Sequence, residues 1–132
     1  MSALAGPKAS TVIRRLASDD RGYATIIGAF AIAVLMVIAI AVIYVGAAVL
    51  ARHRAQSAAD LSALAAAVDH VAAEGDPCAT ARTFAAAQGV GASVRRCDLD
   101  GEDVVLSVAI RIPLGPFGTR DAVASARAGP VG

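Results

Sequence analysis

Residues 23–51 read YATIIGAFAIAVLMVIAIAVIYVGAAVLA and contain neither a charged residue nor a proline. An α-helix needs about 20 apolar residues to cross a hydrocarbon core of about 30 Å, so this stretch is long enough to span a membrane. In a chain of 132 residues, too little sequence remains to cover so apolar a helix inside a globular core. The sequence therefore predicts one transmembrane helix over residues 23–50.

The flanking charges predict how this helix is oriented. Cations before the stretch outnumber those close behind it: Lys8, Arg14, Arg15 and Arg21 precede it, and Arg52 and Arg54 follow it. Because cytoplasmic flanks carry the excess of Lys and Arg, residues 1–22 are expected to stay in the cytoplasm. The chain is then a single-pass protein of the cytoplasmic membrane with an extracytoplasmic C-terminus.

The apolar stretch also differs from that of a cleaved export signal. A signal peptide has an apolar region of about 7–15 residues, which is shorter than this one. Asp19 and Asp20 separate the Arg14-Arg15 pair from the apolar stretch, which is not the pattern of a twin-arginine signal. These features favour a retained anchor, and release by cleavage near Ala47 is the alternative.

Composition and motifs both argue against an enzyme. Hydrophobic residues make up 57% of the chain but aromatic residues only 4%, which leaves little to line a pocket for a small-molecule substrate. The net charge of +1 provides no field that would attract nucleic acid. No phosphate-binding loop or nucleophile motif occurs, and His53, His70, Asp60 and Asp69 have neither zinc-site nor catalytic spacing. We expect no catalytic residue, no cofactor and no metal, and we interpret these four as solvent-facing helix residues.

The helix is predicted to continue beyond the membrane as an Ala-rich stalk over residues 51–74. Four large apolar residues recur on it at helical spacing and form a stripe that needs a partner: Leu61, Leu64, Val68 and Val71. A second series of small residues recurs every four positions: Ala47, Ala51, Ala55, Ala59, Ala63 and Ala67. Small residues at this spacing let helices approach closely, which predicts packing against another subunit or a second copy. The alternative is that composition or helix propensity alone explains the alanines.

The residues after the stalk predict a break and a second helix. Gly75 suits the left-handed position after a helix, Asp76 suits an N-cap, and Pro77 suits the first helical turn. The second helix is expected to run to about Gln88.

A change of period then indicates a small sheet. Apolar residues alternate with others over residues 104–112, which is typical of a strand with one buried face. Asp100-Gly101 predicts a hairpin that pairs this strand with residues 94–99. Residues 113–118 are expected to form a loop and residues 120–128 a third strand. The predicted fold class is thus α+β: a transmembrane helix, its stalk, and a small extracytoplasmic domain over residues 75–132.

Cys78 and Cys97 form a candidate disulfide. Both follow the membrane segment, so the predicted topology places them on the oxidising side. A bond would close a loop of about 20 residues and contribute roughly 3 kcal/mol to a domain with a small core. The alternative is two separate buried thiols.

The residues around the membrane helix resemble a known family. Arg21-Gly22 before the apolar stretch, followed by ARHRAQSAADLSALAAA over residues 51–67, resembles the TadE/TadG-like segment of Flp pilus-assembly (tight adherence) proteins. The resemblance covers roughly residues 21–68, and its most specific part is Gln56-Ser-Ala-Ala-Asp60. The chain is most similar to short actinobacterial TadE-like proteins found near secretion or DNA-translocation genes.

This resemblance implies a minor pilin-like or pilus/secretion-assembly subunit, a pseudopilin, that works with other assembly components in the membrane. In pilin-like members that a prepilin peptidase cuts after Gly, the fifth residue after the cut is Glu; counted from Gly22, this position is Ile27. We therefore expect neither this cleavage nor pilin-style polymerisation. The alternative functions are a membrane-anchored regulatory or ligand-sensing protein and an exported soluble effector released by cleavage.

Overall fold

The computed structural model describes residues 7–131, with side chains described from Asp20 onward. Its elements, in chain order, are α1 (Pro7–Ala72), α2 (Pro77–Ala87), β1 (Ala92–Asp100), β2 (Asp103–Pro113), a single 3-10 turn (Gly115–Phe117) and β3 (Thr119–Ala128). The three strands form an antiparallel sheet in the order β1-β2-β3. The predicted α+β class, with a long apolar helix, a short helix and a small antiparallel sheet, is confirmed.

The chain divides into two compact units, Met1–Ile43 and Tyr44–Gly132. In its described part the first unit is helix alone, and its large side chains are exposed, as at Ile26 and Phe30. Within the described part of the chain, one helix is long and apolar enough to cross a membrane. An apolar surface on all sides of a helix is typical of a membrane span. The side chains of Lys8, Arg14 and Arg15, which support the predicted orientation, lie outside the described residues.

The second unit, called the α+β unit below, contains the rest of α1, α2 and the sheet. Alternate residues of β2 are buried as predicted, at Val104, Leu106, Val108 and Ile110. They share one apolar cluster with alanines of α1 and α2. The Ala-rich end of α1 is therefore part of the core and does not stand apart as a stalk.

The end of α1 differs from the prediction that Gly75 takes the left-handed position next to the helix. Ala73 holds that position, with φ 52°. The Ala73 N–H donates to the His70 carbonyl at 3.2 Å, and the Glu74 N–H donates to the Asp69 carbonyl at 3.0 Å. These two bonds satisfy the last carbonyls of the helix in the manner of a Schellman motif. Gly75 also has a positive φ, of 62°, but it lies beyond the cap.

The start of α2 agrees with the prediction. Asp76 is the N-cap, and its carboxylate accepts a hydrogen bond from the Cys78 N–H at 3.0 Å. Pro77 occupies the first turn, where its missing N–H costs nothing.

A bulge at Arg95 shifts the register of β1. Val94 pairs with Val108, but Arg96 pairs with Ser107 and Cys97 with Leu106. Because strand residues alternate between faces, an unbulged strand would place Arg96 on the same face as Val94. The bulge instead places Cys97 beside the core, where it packs against the buried cluster.

Candidate functional site

Cys78 and Cys97 are joined by a disulfide in the structure. Cys78 lies in the first turn of α2 and Cys97 in β1, with Cα atoms 5.9 Å apart. The bond ties the short helix to the edge strand of the sheet. Since the two residues are 19 positions apart, the closed loop is worth roughly 3 kcal/mol by chain entropy. Both cysteines therefore serve to hold α2 against the sheet.

The alanine series is predicted to pack against another subunit or a second copy, but in the structure most of it packs within the chain. Ala55, Ala59 and Ala63 are fully buried and Ala67 almost so, within the cluster that contains β2 and α2. The small side chains do permit close packing, but the elements packed on them are the chain's own sheet and short helix. A partner helix therefore has no access to these four alanines. Ala47 is exposed and Ala51 is half-buried.

The motif Gln56-Ser-Ala-Ala-Asp60 helps to hold α1 on the sheet. Gln56 Nε2 donates to Asp60 Oδ1 at 2.9 Å, and it also reaches the Ser125 carbonyl of β3 at 3.4 Å. Asp60 thus orients an amide that contacts the sheet, a role beyond the helix solubility that its sequence position suggested.

Asp69 and His70 also make contacts that the sequence interpretation missed. The Thr80 hydroxyl of α2 donates to Asp69 Oδ2. His70 Nε2 lies 2.8 Å from the Gly101 carbonyl in the hairpin between β1 and β2. Neither side chain simply faces solvent, because both join α1 to other elements. Their contacts lie about 11 and 31 positions away in the chain, a distance that helical periodicity cannot show.

Charged side chains near the hairpin also connect the strands of the sheet to one another. Arg127 of β3 donates to Asp103 at 2.6 Å and to Asp100 at 2.9 Å. The hydrogen bond to Asp103, together with the charges of Asp103 and Asp100, raises the pKa of the Arg127 guanidinium. Arg127 and Asp100 are exposed and Asp103 is only partly buried, so these pairs connect the strand ends with little net stabilisation. Over residues 20–131 no cluster of His, Cys, Asp and Glu is arranged to hold a metal ion.

The largest apolar side chains of the helical segment outside the membrane stretch remain exposed. They form the predicted stripe, here called the leucine–valine stripe: Leu61, Leu64, Val68 and Val71, which are 51–62% exposed. Gly129 and Pro130 lie beside Leu64 and Val68 and complete a shallow groove. Alanine thus faces the molecule's own core while Leu and Val face outward.

A helix of an isolated monomer is expected to bury its Leu and Val side chains and to expose alanine, which is the opposite of this distribution. Burying a Leu or Val side chain is worth about 1.5–3 kcal/mol, and alanine contributes far less. The stripe spacing of three, four and three residues is that of the a and d positions of a coiled coil. The geometry therefore suits contact with another helix along the stripe, on the face opposite the buried alanines.

A comparison with known families finds a match, and the matched residues lie on α1. The model of the family described as "Putative Flp pilus-assembly TadE/G-like" matches residues 22–69. This match includes the apolar membrane segment, the Gln56–Asp60 motif and three of the four stripe residues. No similar protein was found among curated proteins, and no similar structure among solved structures. Over residues 22–69 the chain is thus similar to a family described as pilus-assembly proteins, and this part includes the helix that is long and apolar enough to cross a membrane.

Proposed function

We propose that this chain is a non-enzymatic, membrane-anchored minor pilin-like or pilus/secretion-assembly subunit. The observation that carries the proposal is the TadE/G-like match over residues 22–69, which coincides with a helix that leaves its Leu and Val side chains uncovered. The finer likeness to TadE-like proteins of secretion or DNA-translocation loci is part of this proposal and rests on the sequence motif alone.

Different parts and faces of α1 have different roles, and this supports an assembly function. The charge-free segment anchors the chain, and the alanine face beyond it holds the small sheet and α2. The leucine–valine stripe then remains for a helix of another assembly subunit or of a second copy. The α+β unit, stiffened by the disulfide, is presented beside that contact.

Ile27 bears on how the subunit enters an assembly. Its side chain is half exposed and apolar, so it provides no carboxylate for the amino terminus of a neighbouring subunit. We propose that the chain keeps its N-terminal segment and joins an assembly through the stripe. The mass of the protein extracted from its native membrane checks this point: a chain that begins at Tyr23 or near Ala47 would contradict it.

The function is tested in the native cell with a strain that lacks this gene. Complementation with the wild-type chain is expected to restore surface filaments or secretion, whereas Leu64→Glu combined with Val68→Glu is expected to fail because charge is placed on the contact. Phe84→Glu is the matched control, since Phe84 is also about half exposed but lies on α2, away from the stripe. Normal filaments and secretion in the strain without the gene would refute the proposed function.

A further inference from the structure

The connection between β2 and β3 is an ordered apolar loop. Residues 113–118 read PLGPFG and contain no polar or charged side chain. The Leu114 N–H donates to the Gly118 carbonyl at 2.7 Å, and the Gly118 N–H donates to the Gly115 carbonyl at 3.2 Å. Gly115 and Gly118 both adopt positive φ, at 57° and 82°, which closes the turn. The backbone is thereby fixed, and Phe117 projects from it with 77% of its surface exposed.

This loop packs on α1 at Tyr44, inside the apolar segment. The rings of Phe117 and Tyr44 meet edge to face, with centroids 6.4 Å apart and planes at 85°. The Tyr44 hydroxyl lies 3.3 Å from the point that a Cβ on Gly115 would occupy, so the loop backbone is also close. Tyr44 is half-buried by this contact, while Ile43 and Val45 on either side are exposed.

The position of Tyr44 sets the depth of the loop. Arg52, the first charged residue after the apolar segment, is about eight residues further along the helix, or about 12 Å at 1.5 Å per residue. Tyr23 and Tyr44 are 21 positions apart in the sequence, close to the roughly 20 residues that a helix needs to cross the hydrocarbon core. Tyrosines are enriched at both membrane–water interfaces, so Tyr44 marks the interface on the side of the α+β unit.

Two arginines lie near the loop, at the level where lipid headgroups would border the hydrocarbon core. Arg52 lines a shallow groove with Ile112, Ala122 and Asp121, at the end of the sheet that carries the loop. Asp121 is paired with Arg95 and Arg111. Arg120 is the second residue of β3, which begins at Thr119 directly after the loop. Within residues 20–131 neither arginine takes part in an ion pair. An apolar tip bordered by free cations is complementary to acyl chains bordered by phosphates.

We propose that residues 113–118 form a second membrane contact, with Phe117 and Leu114 inserted among the lipids at the depth of Tyr44. The partner is the lipid bilayer itself. The loop would hold the α+β unit against the membrane surface at a point separate from the spanning helix. This inference depends on the spanning helix and on the Tyr44 contact, and it holds whether or not the chain takes part in pilus assembly.

The chain has no tryptophan and three phenylalanines, which allows a direct test. Three single-tryptophan variants of the full chain are made: Phe117→Trp in the loop, Phe30→Trp in the apolar segment and Phe84→Trp on exposed α2. Each is reconstituted into vesicles of phosphatidylcholine and phosphatidylglycerol whose acyl chains carry bromine near the headgroup or near the chain end. Quenching by bromine and by aqueous iodide is measured for each variant.

The expected result is that Phe117→Trp emits at shorter wavelength than Phe84→Trp, is quenched most by bromine near the headgroup, and is shielded from iodide. Phe30→Trp should be quenched more by the deeper bromines, and Phe84→Trp by iodide alone. Leu114→Trp provides a second reporter in the loop should Phe117→Trp fold poorly. Iodide quenching of the loop tryptophan equal to that of Phe84→Trp would overturn the proposal. So would shielding from both iodide and bromine, which would show that protein covers the loop.

Discussion

Ser62 carries a fully buried hydroxyl that has no hydrogen-bond partner within the described part of the chain. A helical serine commonly donates to the carbonyl four residues earlier. That carbonyl belongs to Ala58, which instead accepts from Gln88 Nε2 at 3.4 Å. A buried hydroxyl without a partner costs about 1–3 kcal/mol.

Ser62→Ala is therefore expected to raise the free energy of unfolding of the α+β unit by about 1 kcal/mol, because it removes the unsatisfied group and improves helix propensity. Thermal unfolding of the full chain in detergent micelles, followed by circular dichroism, measures the effect. Ser57→Ala is the control, since Ser57 is exposed on the same helix and should change stability by less than about 0.5 kcal/mol. A loss of stability in Ser62→Ala would show that the hydroxyl has a partner in the native protein.

Ala73 holds a left-handed conformation that favours glycine. A non-glycine residue pays about 1–2 kcal/mol in this region because its Cβ approaches the following carbonyl. Ala73→Gly is expected to stabilise the α+β unit by about 1 kcal/mol, by the same unfolding measurement. The matched control is Ala72→Gly, one residue earlier in helical conformation, which should destabilise by about 0.5–1 kcal/mol. Equal effects of the two substitutions would contradict the assigned helix end.

At the scale of elements, the Ala-rich end of α1 packs so closely on the sheet that its small side chains are required there. Ala59 is fully buried against the cluster that contains β2 and α2. Adding three carbon atoms to a side chain at such a site typically costs about 1–3 kcal/mol through overpacking.

Ala59→Leu is accordingly expected to lower the free energy of unfolding by about 1–3 kcal/mol and to increase protease sensitivity of the α+β unit. Ala47→Leu, at an exposed position of the same series, should leave both unchanged. The comparison separates internal packing from subunit contact. If Ala59→Leu keeps full stability but abolishes crosslinking to a partner, the alanines face another subunit instead.

At the scale of the whole molecule, the orientation in the membrane decides where the disulfide and the stripe operate. The excess of cations before the apolar segment predicts that the α+β unit is extracytoplasmic. An alkaline phosphatase fusion after Gly132 is expected to be active and a fusion after Leu16 inactive, because the enzyme requires export. Activity from the Leu16 fusion alone would reverse the orientation and remove the oxidising environment assumed for Cys78 and Cys97.

Sequence patterns alone determined the class of elements in this protein. A charge-free run of this length has few outcomes other than a membrane span, and strict alternation over residues 104–112 requires a strand with one buried face. Asp76-Pro77 and Asp100-Gly101 marked the start of α2 and the hairpin, because capping and tight turns depend on a few adjacent residues. These signals are local, so they can be read without knowing the neighbours in space.

Only the tertiary structure decided which partner each face receives. The alanine series is compatible with a second helix or with a sheet, and the structure places the chain's own sheet there. The bulge at Arg95, which turns Cys97 toward the core, depends on the pairing of β1 with β2. The contact between Phe117 and Tyr44 joins residues more than 70 positions apart. Such contacts arise from packing between distant segments, and periodicity within one segment carries no information about them.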